Sequence, residues 1–146
     1  MKNLKLILIF CFLLFGTFVF SQNKRSFKII INKSNSNSTL TKVEISKLFL
    51  KKITRWKDTN LKVEPADLVD TSPARKKFSN EILDKKVSSV KAYWQKLIFS
   101  GRKVPPPEKK SDNDVLQFVQ ENSGAIGYVS ASTNLSNYSV KSVRVQ

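Results

Sequence analysis

The chain has 146 residues, 26 of them Lys or Arg against 11 Asp or Glu, for a formal net charge of +15; it holds no histidine and one cysteine. That composition leaves no material for a disulfide framework, a Cys/His metal centre or a histidine general base. A surface this basic attracts anions and polyanions, with a reach that salt shortens.

Residues 1–21 predict a secretory signal peptide. Lys2 and Lys5 precede an apolar run from Leu6 to Phe20, and Ser21 supplies a small residue before a cut at Gln22. The run is shorter than the roughly 20 residues that span a bilayer. Cys11 lies inside it, so residues 22–146 form one cysteine-free domain held by its apolar core, with 24 basic residues against 11 acidic and a net charge of +13. The bases come mostly as scattered pairs, from Lys24-Arg25 to Lys109-Lys110, without a basic helix or a nucleic-acid motif, and no nucleic-acid partner is expected.

Residues 27–31, Phe-Lys-Ile-Ile-Ile, read as a short buried strand, and residues 32–38 as a polar loop. Thr41 and Glu44 form a capping box for a first helix, with Leu40 and Ile45 as a hydrophobic staple. Ile45, Leu48, Phe49 and Ile53 recur on one face. Trp56 and the Asp58-Thr59-Asn60 turn end that unit, and residues 61–68 predict a short strand. A second helix starts at Ser72, with Pro73 in the first helical position. A third runs from about Ser89 to Ser100 and stops at Gly101. After Pro105-Pro106-Pro107, Ser111 and Asp114 predict a capping box for a fourth. Gly124 is placed as that helix's C-cap, opening the buried strand of Ala125 to Val129. The alternating tail from Ser139 to Val145 predicts a final edge strand. The element order argues for a single α/β layer structure.

Thr71, Ser72 and Arg75 are the strongest candidate site. A helix start exposes unpaired N–H groups and a partial positive charge, so it favours anions. Arg75 opposes that dipole, a placement that gains a reason if a phosphate-like anion sits there, since a guanidinium matches its oxygens bidentately. On the residues alone, Ser72 as a plain N-cap and Arg75 as a solvated surface residue remains an open alternative. Asn32 and Ser34, in the loop after the first strand, are candidates for a facing rim. Phe49, Phe78, Trp94 and Phe118 fall at core spacing and read as packing. No nucleophile–base pair, cofactor motif or metal cluster is visible, so no enzyme activity and no cofactor are expected.

In order, the segments Ile45 to Asp58, Ser72 to Phe78, Ala92-Tyr93-Trp94 with Phe99-Ser100-Gly101, and Ser111 to Val129 resemble the short, single-lobe relatives of phosphate ABC transporter substrate-binding proteins, in the periplasmic-binding-protein-like superfamily. The pattern departs from the family's at Lys51 and Thr59, where glycine is usual, and at Pro73 and Ala74, where phosphate binders favour glycine and threonine. The resemblance covers about residues 27–130. It implies one lobe of a type II periplasmic-binding-protein-like fold, a mixed sheet flanked by about four helices. It also implies a periplasmic or secreted protein that binds phosphate or a related oxyanion and serves a membrane transporter. The charge supports an alternative on the same fold: a cationic interaction module docking to a membrane-protein partner or acidic envelope polymer without a small ligand.

Overall fold

The computed structural model describes residues 25–146; the leader expected over residues 1–21 lies outside them. Seven strands and four helices follow in the order β1 (Phe27–Asn32), β2 (Thr39–Leu40), α1 (Lys42–Phe49), β3 (Glu64–Pro65), β4 (Asp67–Leu68), α2 (Pro73–Ile82), α3 (Val87–Phe99), β5 (Glu108–Lys109), α4 (Asp112–Glu121), β6 (Ala125–Ser130) and β7 (Val140–Val145). A five-stranded mixed sheet runs β2-β7-β1-β6-β3, and β4 pairs with β5 in a separate two-stranded ribbon. This is the α/β architecture with four helices that the sequence implied.

The central strand is β1, which lies antiparallel to both β6 and β7. Its run of Ile29, Ile30 and Ile31 is fully buried on both faces, which is why it reads as continuous rather than alternating. The tail strand β7 was expected at the edge. It lies one place in from it, because the two residues of β2 pair with it in parallel. A two-residue strand leaves no periodicity to read.

The helix starts follow their caps. Thr41 and Glu44 form both halves of the capping box of α1. These hydrogen bonds, from the Thr41 backbone first and its hydroxyl second, hold the Glu44 carboxyl below its ordinary range. Ser72 caps α2 with Pro73 in its first turn, and Ser111 caps α4 through the Asp114 N–H. Three helices end in a left-handed residue: Lys51 (φ 52), Asp84 (φ 50) and Gly101 (φ 65). After α3, Gly101 N–H bonds Ile98 O and Arg102 N–H bonds Leu97 O, reversing the chain tightly.

Four rings make the centre of the core. Phe78 of α2 stacks on Tyr128 of β6 with centroids 3.9 Å apart, and Phe49 and Phe27 close around them. Trp94 is buried on α3, as its spacing foretold, whereas Phe118 is only partly buried and carries the Lys109 ammonium 4.4 Å from its ring centre.

Gly124 is required for a different reason from the one its position predicts. Helix α4 ends at Glu121 with Asn122 as its C-cap, and Gly124 does not adopt a left-handed conformation. A Cβ on Gly124 would lie 2.0 Å from the Lys62 carbonyl oxygen. The same close approach lets the Gly124 carbonyl accept from the Trp56 indole at 3.0 Å, which accounts for the burial of Trp56. Gly124→Ala therefore forces two backbone segments apart and is expected to cost about 3 kcal/mol. Gly101→Ala meets open space and costs only the left-handed backbone term, about 1 kcal/mol. Urea unfolding of the two variants checks that order; equal costs would remove the steric account of Gly124.

Candidate functional site

Helix α2 packs against the end of the sheet where β1 begins and β6 finishes, with Phe27 and Tyr128 both against Phe78. Its first turn contains Arg75, and the fold turns that side chain inward. The guanidinium Nη1 lies 3.0 Å from Asp67 Oδ2 and 3.0 Å from Glu108 Oε1, and it donates to the Leu68 carbonyl. The Arg75 side chain is 4% exposed, Asp67 9% and Glu108 47%. Arg75, read as either an anion clamp or a solvated surface residue, is thus a buried cation between an inner and an outer carboxylate.

Asp67 is satisfied on every side. Its Oδ1 accepts from the Tyr128 hydroxyl and, at 2.9 Å, from the Leu68 N–H. Burial pushes the Asp67 carboxyl above its ordinary range, and the Arg75 charge, the Tyr128 hydroxyl and the Leu68 N–H pull against that push. Burial first, and the Asp67 charge second, raise the Tyr128 hydroxyl far above a free phenol, so it stays a donor. One unit therefore joins β4, α2 and β6, with Glu108 of β5 attached from outside.

Beside this unit lies a cavity of about 290 Å³, bordered by Asp67, Arg75, Lys91, Trp94, Ile98 and Glu108 among others. Lys91 bonds Asp70 at its margin, and this contact holds the Asp70 carboxyl below its ordinary range. The cavity presents one buried guanidinium, the Lys91 ammonium paired with Asp70, an apolar wall, and the Asp67 and Glu108 carboxylates.

The start of α2 is less open to an anion than its cap predicts. Pro73 has no N–H, the Arg75 N–H is taken by Ser72 Oγ at 3.4 Å, and the Lys76 N–H by the Ser72 carbonyl. Among the described residues, the Ala74 N–H is left as the first-turn donor without a protein partner. Thr71 is exposed and Ser72 half-buried, and neither borders the cavity that the Arg75 guanidinium reaches.

Asn32 and Ser34 do not share this end of the molecule. Asn32 closes β1 five residues after Phe27, roughly 16 Å along the strand. Its amide donates to the Val119 and Gln120 carbonyls at the end of α4 and accepts from the Ser34 N–H and hydroxyl. The facing rim expected of them is absent from this geometry, and their polar groups close a loop instead. Sequence reasoning missed Glu108, which follows a proline run. A buried arginine needs carboxylates, and the only signal was that Asp67 lay eight residues before Arg75.

No family model and no curated protein matches the chain. Solved structures do. A protein of Clostridium perfringens, named for phosphate ABC transport and solved with phosphate bound, is 26% identical, with a TM-score of 0.63 over 82% of this chain and 44% of its own. An ABC-type phosphate transport receptor of Vibrio cholerae is 20% identical, with a TM-score of 0.63 over 82% of this chain and 46% of its own. PstS of Borrelia burgdorferi is 13% identical, with a TM-score of 0.65 over 83% and 47%. The chain spans less than half the length of these proteins and shares the fold of that half.

Removing the guanidinium strands a buried carboxylate. Arg75→Ala is expected to cost about 3–5 kcal/mol. The double variant Asp67→Asn/Arg75→Ala should recover part of that loss. Additive costs in urea unfolding would show that the pair is not coupled.

Proposed function

We propose that this chain is an exported, single-lobe oxyanion-binding domain that takes phosphate or a related anion at Arg75 by exchange with Glu108. The observation that carries the reading is the asymmetry of the two carboxylates on one guanidinium. Both border the cavity, but Asp67 is buried and fixed by three donors, whereas Glu108 is half-exposed and held by Arg75 alone among the described residues. Glu108 thus stands where an incoming oxyanion would stand, and an anion arriving from the cavity would displace the less firmly held of the two carboxylates. Thr71 and Ser72 hydroxyls at the start of α2 are proposed as the further contacts; Asn32 and Ser34 belong to the other end of β1.

Two fold neighbours support the reading, because both are named for phosphate transport and one was solved with phosphate bound. They are binding proteins rather than enzymes, which agrees with a site built for holding and not for turnover. The proposed role is delivery of the anion to a membrane transporter. A single lobe leaves the anion partly in water, where each contact is weaker, so affinity near the millimolar range is expected.

A second reading is the cationic docking module, favoured by the fact that Arg75 is already neutralised within the chain. Calorimetric titration with phosphate, then sulfate, separates the two. The first reading predicts saturable binding that Glu108→Gln tightens several-fold, since the competing charge is gone. No heat from the native protein or from folded Glu108→Gln would leave the docking module standing.

A further inference from the structure

Five large apolar side chains are conspicuously exposed among the described residues, and three of them fall within seven positions: Ile98 (49%), Phe99 (90%) and Val104 (68%). They belong to one compact feature. Phe99 is the last residue of α3, and the Gly101 reversal folds the chain straight back toward Val104 and the proline run. Ile98 and Pro105 border the same cavity, so the two sides of the reversal are neighbours. At 90% exposure the Phe99 ring touches almost nothing of its own chain.

Basic groups surround this tip. Lys96 and Arg102 flank Phe99 in sequence. Lys103 Nζ bonds the Lys51 carbonyl, and Lys51 Nζ lies 3.4 Å from the Pro105 carbonyl. Partial burial first, and the nearby Lys62 and Lys103 charges next, lower the Lys51 ammonium from its ordinary value. Among the described residues, none of Lys51, Lys62, Lys96, Arg102 and Lys103 has a carboxylate within ion-pair distance, although six ion pairs form elsewhere. The charges here are left together and unneutralised.

An apolar tip inside a lysine belt narrows its occupant. A second copy would bring the same charges face to face, at a cost that a net charge of +13 compounds. The cores of protein–protein interfaces are depleted in lysine, and this belt is mostly lysine. An anionic bilayer surface answers both parts: an aromatic ring reaches the boundary of headgroups and acyl chains while the bases stay among anionic headgroups. We propose that the α3–β5 tip, with Phe99 and Val104 inserted and Lys51, Lys96, Arg102 and Lys103 on the headgroups, docks this protein reversibly on an anionic lipid membrane. This does not depend on whether Arg75 takes an anion.

The test is co-sedimentation of the exported protein, produced from the full chain, with vesicles of equimolar phosphatidylcholine and phosphatidylglycerol, or of phosphatidylcholine alone, at physiological salt. The native protein should partition onto the anionic vesicles and not the zwitterionic ones. Phe99→Ser should weaken partitioning by about tenfold or more. Arg102→Glu and Lys103→Glu should each weaken it by about fivefold or more. Val43→Ser, an exposed apolar residue on α1, should leave it unchanged. Near-ultraviolet circular dichroism establishes that each variant is folded. Equal binding of native and Phe99→Ser, no binding to anionic vesicles, or a concentration-dependent dimer lost in Phe99→Ser would each overturn the proposal, the last in favour of a second copy. Phosphate titration of Phe99→Ser should match the native protein, which separates failure here from failure at Arg75.

Discussion

A guanidinium and a carboxylate enclosed together at the junction of β4, α2 and β6 set the condition that the rest of this domain meets. Two charges withdrawn from water are costly, and their attraction offsets that cost only when the remaining donors and acceptors are also satisfied. Asp67 meets this with Arg75, the Tyr128 hydroxyl and the Leu68 N–H; Arg75 meets it with Asp67, Glu108 and the Leu68 carbonyl. The side chains come from four elements, β4, α2, β5 and β6, and the backbone partners from Leu68 of β4. Tyr128 can serve only because its ring is fixed by stacking on Phe78, and Phe78 lies one turn beyond Arg75 on the same helix. The aromatic core and the ion pair are therefore one construction, and the cavity beside Glu108 is bounded by it.

Much of the frame was legible because it rests on local rules. Thr41 with Glu44, Ser72 with Pro73, and Gly101 after α3 mark helix ends by chemistry within four residues, and the structure keeps all three. The three isoleucines of β1 announce burial on both faces by themselves. What was illegible depended on distant pieces of chain. Gly124 is small because the Lys62 carbonyl comes close, an approach that a reading of the Gly124 neighbourhood does not contain. The inner place of β7 depends on two residues of β2 more than a hundred positions earlier.

The site follows the same division. Thr71, Ser72 and Arg75 were singled out together from one helix start, whereas the Arg75 guanidinium turns inward to a cavity that neither Thr71 nor Ser72 borders. The direction Arg75 takes was not readable, because it is decided by Asp67 and Glu108, eight residues before and thirty-three after. Asn32 and Ser34 were grouped with the site as a facing rim in the loop after the first strand, yet β1 carries them to the opposite end, where Asn32 seals the end of α4. A net positive charge, too, is legible as a sum but not as a pattern. The fold gathers Lys51 and Lys103, fifty-two residues apart, beside an exposed phenylalanine.

The central claim is that Arg75 is held by a fixed inner carboxylate and an exchangeable outer one. Nitrogen-detected NMR of the Arg75 guanidinium during a phosphate titration reads both halves at once. The account predicts resolved, slowly rotating Nη signals without phosphate, then a saturable shift as Glu108 is displaced while the Tyr128–Asp67 hydrogen bond persists. A guanidinium signal averaged as in free solvent, or one that phosphate leaves unmoved while binding is seen elsewhere, would contradict it.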